Sequence, residues 1–370
     1  MAITQTEPGK AAKEKLYTLE LGRFLAASVV VLTHWLPEVN SHARAGQQIF
    51  GGFAAPGALG VQYFFVLSGF VMASAHHQDF GRLTSPLKFW WRRACRIYPV
   101  YWLALCIPAY YLYGFMTPDF SFRLFSLVPW SNAEFIAPAW TLRYEMSFYI
   151  MFGLALLPYI GRPILALWIF AVFWRWAPHG LLGILHLPPP YLINKLSSGW
   201  ADKFTAYQDF YFFAGLLAGI LAVKWRPGVT WSAVLTAFGC IAGLLALPYI
   251  KWGDAYGPPA FVMVFCLVLA ALLLGVAGLE RNGKLRLPRL AATLGALSYP
   301  LYILHTPLML VFHANAAHLR FGGFSMYFLF LAGLVVIYAA SQFVTVFYDQ
   351  PIQKGLRRFS RAVVRRPATA

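Results

Sequence analysis

An all-α, multi-pass membrane protein, a bundle of about ten helices, is what this 370-residue sequence predicts, and two observations carry that prediction. Hydrophobic residues make up 59% and charged residues only 12%, against roughly 25% charged in soluble domains, and the mean hydropathy is +0.60. The chain also returns repeatedly to apolar runs near the ~20 residues that cross the hydrocarbon of a bilayer. A third observation, the distribution of Lys and Arg, sets the orientation.

A polar leader, 1–18, precedes the first span, 19–36, which is apolar from Phe24 to Leu32. Ala43-Arg44-Ala45 has the small residues of a signal-peptide cleavage site, but the leader is long and the alanines lie far from the apolar run, so the span is read as retained. The second span, 58–75, carries Gly57, Gly60, Ser68 and Gly69 in or beside it, small residues that let helices approach closely. The third, 98–115, follows Arg92, Arg93 and Arg96, and the fourth, 140–157, opens on Trp140. A short fifth span, 163–176, is compatible with tilting. After it, Ala177 to Ala206, with Pro188-Pro189-Pro190, reads as an outer loop. Four further runs, 207–223, 229–250, 258–279 and 291–312, lead to a last one at 324–346. The membrane domain is thus 19–350, and a basic tail, 351–370, follows. No stretch remains for a soluble catalytic domain, so any chemistry belongs to the bundle.

Thirty Lys and Arg stand against thirteen Asp and Glu, a net charge of +17. With ten spans, twenty-one of the basic residues fall on the face of the two termini, six on the other, and three within spans. Positive residues in short loops stay cytoplasmic, so both termini are expected inside, in the manner of a bacterial inner-membrane protein. The charge is therefore a topology signal with a part in holding anionic membrane lipids, and nucleic acid is not expected as a partner. Cys95, Cys106, Cys240 and Cys266 have no metal-ligand spacing, and neither a metal nor a disulfide is expected.

Ionisable groups inside a bilayer cost roughly 2.5–3.5 kcal/mol each on insertion scales and mark functional sites. Arg23 and His34 share the first helix, eleven residues apart. That is about 20° past three full turns, so they lie on one face, about 16 Å apart along the axis. Glu145 lies about 7 Å below the start of the fourth helix, a depth that makes it a candidate partner for His34, and Arg143, two residues earlier, faces another way. Tyr302 and His305 are one turn apart on the ninth helix, and Arg175 and Asp209 fall near outer ends. A His, a carboxylate and a second His collected in one half of the bundle can perform general acid and base work. Arg93 and Arg96, at i and i+3, face the same way, and paired guanidinium groups suit phosphates or carboxylates. Trp130, Tyr191 and Trp200 in the outer loops are candidates for stacking on sugars, though interfacial belts account for most such aromatics.

Several segments together resemble the acyltransferase 3 family of membrane acyltransferases. They are Leu19-Glu20-Leu21-Gly22-Arg23-Phe24 with His34 following; Gly60-Val61-Gln62-Tyr63-Phe64-Phe65-Val66-Leu67-Ser68-Gly69; Arg93-Ala94-Cys95-Arg96-Ile97-Tyr98-Pro99; Trp140-Thr141-Leu142-Arg143-Tyr144-Glu145; Ser298-Tyr299-Pro300-Leu301-Tyr302-Ile303-Leu304-His305; and Tyr348-Asp349-Gln350-Pro351. They arrive in the family's order over about 16–358. The resemblance implies transfer of an acyl group, usually acetyl from cytoplasmic acetyl-CoA, to hydroxyls of an extracytoplasmic carbohydrate, with members that modify exopolysaccharide the nearest in kind. It implies a catalytic role for Arg23 and His34 and a donor role for Arg93 and Arg96. Asp349-Gln350-Pro351 departs from the family's usual Glu-Arg-Pro, and Arg143 stands where a small or apolar residue is usual.

The expected chemistry places acetyl-CoA phosphates near Arg92, Arg93 and Arg96, with His34, oriented by Glu145, acting either as base or as acyl acceptor. Ser68, Tyr302, His305 and Arg143 are candidates for oxyanion or substrate contact. A transporter or flippase for a lipid-linked sugar is the alternative reading of buried charges, although inverted repeats and broken midplane helices are not evident. Neither the polysaccharide nor the oligomeric state is legible.

Overall fold

The computed structural model describes residues 16–113, 122–129, 136–176, 202–250 and 259–365. Their order is α1 (Tyr17–Ser41), α2 (Gly57–His76), α3 (Ser85–Pro108), α4 (Phe122–Ser126), α5 (Ala139–Ala155), α6 (Gly161–Trp176), α7 (Asp209–Lys224), α8 (Val229–Ala246), α9 (Pro259–Arg281), α10 (Leu290–Ala316), α11 (Phe324–Val344) and α12 (Gln350–Arg365). The described residues contain no strand beyond a single bridge between Ala43 and Phe321, which agrees with the all-α expectation. Each of the ten predicted spans overlaps one of these helices, the third only in part, since its helix ends at Pro108. Among the described residues, seven helical segments are long and apolar enough to cross a membrane by length and composition; α3, α5 and α6 are shorter or more charged. The leader up to Lys15, most of the loop after α6, and Trp130, Tyr191 and Trp200 lie outside the described residues.

α1 packs against α2, α9, α10 and α11. Its start is fixed in depth by Glu280 of α9. One carboxylate oxygen accepts from the Tyr17 backbone N–H at 2.7 Å, and the other from the Thr18 N–H and hydroxyl at 2.8 and 2.6 Å. These are first-turn donors with no partner inside their own helix, and a negative group there also suits the helix dipole. Farther along, Trp35 Nε1 donates to the Phe330 carbonyl of α11 at 2.9 Å.

The small residues of α2 act as expected. A Cβ at Gly57 would stand 2.5 Å from Thr33 Oγ1, and one at Gly60 2.5 Å from the Ala26 carbonyl, so α2 runs antiparallel to α1 at close range. On the opposite face a Cβ at Gly69 would collide with the Phe212 carbonyl, and one at Gly215 of α7 with the Val66 carbonyl. Backbones this close gain dispersion contacts where no hydrophobic effect drives helices together.

α3 begins well before the predicted span. Arg92, Arg93 and Arg96 are therefore inside the helix, which has 24 residues in all. Arginine is a good helix former, and its long stem lets the charge reach the membrane edge from a helical position. At the other end of the chain α11 passes through a π-helical turn, Thr345–Asp349, before α12. Pro351 lies two residues past the π-helical turn in the same continuous helical segment, where its missing N–H removes one bond of the helical ladder.

Candidate active site

Five helices converge on a cavity of about 200 Å³. α1 contributes Arg23; α2, Phe64, Phe65 and Ser68; α3, Arg93, Arg96 and Ile97; α5, Thr141, Glu145 and Tyr149; and α10, Ser298, Tyr299 and Tyr302. Six residues singled out in the sequence are therefore brought together: Arg23, Ser68, Arg93, Arg96, Glu145 and Tyr302.

The charges have different local supports. Arg23 Nε is buried with no hydrogen-bond partner, which is a costly arrangement for a guanidinium unless a ligand anion supplies the partner. Arg93 lies over the rings of Phe89 and Tyr149, at 5.3 and 5.2 Å from their centroids. Arg96 pairs with Asp349 at 3.2 Å and lies 5.5 Å from the Tyr299 ring centroid. The Asp349 side chain is only 3% exposed, so the residue that departs from the family's usual ending has a defined role on the π-helical turn. Glu145 accepts a hydrogen bond from the Tyr149 hydroxyl one turn along α5.

The other end of the cavity is made of hydroxyl groups. Thr141 Oγ1 lies 2.8 Å from the Pro138 carbonyl and 2.7 Å from Tyr302 Oη. One turn beyond Tyr302 on α10 is His305, fully buried, whose Nδ1 is 2.7 Å from the Tyr302 carbonyl. A carbonyl can only accept, so His305 Nδ1 carries the hydrogen and its Nε2 presents a lone pair. That Nε2 lies 3.3 Å from His34 Nδ1, which is also 2.9 Å from the Val30 carbonyl. By the same logic His34 Nδ1 carries a hydrogen shared between Val30 and His305. Its Nε2 is then the ring nitrogen that carries no hydrogen, the form in which an imidazole acts as a base or nucleophile.

His34 thus meets His305 rather than the carboxylate of Glu145, which is held by Tyr149. Matching depth along two helices had made them candidates, but depth leaves rotation and lateral position open. Arg143 is not among the residues lining the cavity. It is fully buried and donates from Nη1 to the Val128 carbonyl at 2.7 Å, anchoring the segment that precedes α5. Arg92 is exposed beyond the cavity. Thr141, Tyr149, Ser298 and Tyr299 were not singled out; all but Tyr149 lie inside the quoted motifs, which was the available signal. Arg175 near the end of α6 donates to Asp202 Oδ1 at 2.9 Å and to the Thr205 carbonyl at 2.8 Å, a tie to the segment before α7. Asp209 is fully buried, and both of its carboxylate oxygens lack a hydrogen-bond partner.

One group among the described residues has metal-ligand character. Glu38 Oε1 is 3.0 Å from His313 Nδ1 and 3.7 Å from His42 Nδ1, with one ligand atom from each within 4.8 Å of the others. The geometry is that of a carboxylate between two imidazoles.

A chain with this cavity inside an apolar helical bundle has the features of a membrane-embedded transferase. Residues 16–345 match the family described as the acyltransferase domain, acyltransferase 3, and the chain belongs to that family of membrane acyltransferases. Among its relatives is the exopolysaccharide production protein ExoZ of Rhizobium meliloti (strain 1021), 28% identical over 68% of this chain and 76% of that one. Another is the acyltransferase MdmB of Streptomyces mycarofaciens, 25% identical over 67% of each. No solved structure shows significant similarity to it.

Proposed function

We propose that this protein moves an acyl group, acetyl in the simplest form, from cytoplasmic acyl-CoA to a hydroxyl of an extracytoplasmic or lipid-linked carbohydrate such as exopolysaccharide. It would do so as a multi-pass protein of a bacterial inner membrane. One observation carries the reading: three guanidinium groups line a single cavity together with Tyr302, and the His34–His305 pair, outside its lining, lies one turn beyond Tyr302. Arginines suit the anionic donor, and histidine suits proton transfer near neutral pH. About 16 Å of α1 separates Arg23 from His34, a distance that the flexible arm of the donor would bridge.

His34 Nε2 accepts the proton of the sugar hydroxyl while that oxygen attacks the thioester carbonyl carbon. The C–S bond then breaks, the acyl C–O bond remains, and the departing thiolate takes the proton back from His34. The same Nε2 is the reacting atom if the acyl group rests first on His34. Thr141 donates to the Pro138 carbonyl, so the Tyr302 O–H donates to Thr141 Oγ1, and its transfer from Thr141 to the developing oxyanion would stabilise the transition state. Arg23, with Arg96, Glu20 and Glu145 as its charged neighbours, fixes charge at the donor end.

The test is the acetyl content of the host's surface polysaccharides, read by proton NMR, in a deletion strain complemented with the parent chain or with His34→Ala. Loss of a specific O-acetyl signal, restored by the parent alone, is the expected result. Unchanged acetylation with less exported polymer would instead favour the transporter.

A further inference from the structure

A second cavity, about 810 Å³, opens between the start of α3 and α12. Trp91, Arg92 and Arg96 line one side and Gln353, Arg357 and Ser360 the other. Its size falls in the ~300–1,000 Å³ range of small-molecule sites. Three guanidinium groups line it and no carboxylate does. Arg92 and Arg357 are exposed and form no ion pair with a described residue, and the Trp91 ring is 44% exposed.

The register of α12 on α3 follows from a proline. Pro99 has no N–H, so the Cys95 carbonyl four residues earlier has no helical donor. Gln353 Nε2 supplies one at 2.6 Å. Asp349, just before α12, holds Arg96 at 3.2 Å. These two contacts set Arg357 opposite Arg92 across the cavity, and Arg96 lines both this cavity and the central one.

We propose that α12, which lies beyond the matched family region, completes a subsite for the nucleotide end of a coenzyme A thioester. Arg92 and Arg357 take its phosphates, and Trp91 stacks on the adenine. Arg96 marks the passage through which the thioester arm enters the central cavity. This rests on the donor reading above. An anionic lipid headgroup would offer the same phosphate chemistry, and an interfacial indole suits it too, but it has no use for continuity with the central cavity through Arg96.

The full chain, purified into nanodiscs of phosphatidylcholine, allows the test. Arg357→Ala and Trp91→Ala should each weaken binding of labelled coenzyme A about tenfold, the effect of losing one charge-assisted or stacking contact. They should raise KM for acetyl-CoA to match, with kcat unchanged, and leave KM for acetyl-pantetheine, which has no nucleotide, at the parent value. Lys354→Ala, exposed on α12 but not lining the cavity, serves as the control for general charge loss. Coenzyme A binding that is equal in parent and variants would overturn the subsite. Competitive displacement by added phosphatidylglycerol would do so as well, assigning the arginines to lipid. A parent chain that transfers acetyl groups from another donor without binding coenzyme A would overturn the donor reading itself.

Discussion

Replacing His305 tests how the histidine pair divides its work. His305 is fully buried and its Nε2 lies 3.3 Å from His34 Nδ1. If it orients His34, its removal leaves the Val30 carbonyl, at 2.9 Å, still holding the same Nδ1–H. The tautomer survives and only one of two orienting contacts disappears. A net neutral hydrogen bond is worth about 0.5–1.5 kcal/mol, so His305→Gln should lower kcat by roughly 2- to 13-fold. Loss of the reacting group itself is larger: His34→Ala should lower it by about 10²–10⁴. The assay is the initial rate of labelled acetyl transfer from acetyl-CoA to isolated polysaccharide in membrane vesicles, normalised to folded protein. A fall in His305→Gln as deep as in His34→Ala would refute the division of roles, because His305 would then be a reacting group. An unchanged rate would refute the positioning contact.

Asp349→Asn should strand the Arg96 charge and lower the unfolding midpoint of the detergent-purified protein, by an amount consistent with about 1–3 kcal/mol. Exchanging the pair, Arg96→Asp with Asp349→Arg, should recover part of that midpoint but not acetyl transfer; full recovery of transfer would show that Arg96 acts only through Asp349. Gly69→Leu should abolish monodisperse folded protein by forcing α2 off the Phe212 carbonyl, whereas Gly243→Leu, with nothing within 4 Å of its Cβ position, should not. Size-exclusion profiles compare the two. Arg175→Ala should remove the tie between α6 and residues 202–205 and lower thermal stability, with KM for acetyl-CoA unchanged.

The helices were legible because composition and run length respond directly to the bilayer, and each predicted span overlaps a helix. The one-face relation of Arg23 and His34 was legible because both belong to one helix of fixed pitch. The partner of His34 was not. Depth made Glu145 a candidate, but rotation about the axis and lateral packing decided for His305, 271 residues away. Arg143 and Glu145, two residues apart on α5, were rightly separated by face, yet the sequence had no way to show that Arg143 faces the Val128 carbonyl. Asp349 looked like a departure from a motif, and its pairing with Arg96 depends on a π-helical turn that has no distinct sequence pattern.

The capping of α1 by Glu280 has a consequence for biogenesis. α1 leaves the ribosome well before its cap, which comes from a residue 262 or 263 positions later, and His34 receives His305 271 positions later. At ~5–20 residues per second, about 14–54 s pass before that second histidine is made. During this interval Arg23 and His34 sit in the membrane without their final neighbours. A ribosome stalled before α9 should therefore leave α1 free to shift in depth, and a chaperone or insertase that shields a charged first helix would act on this nascent form rather than on the finished enzyme.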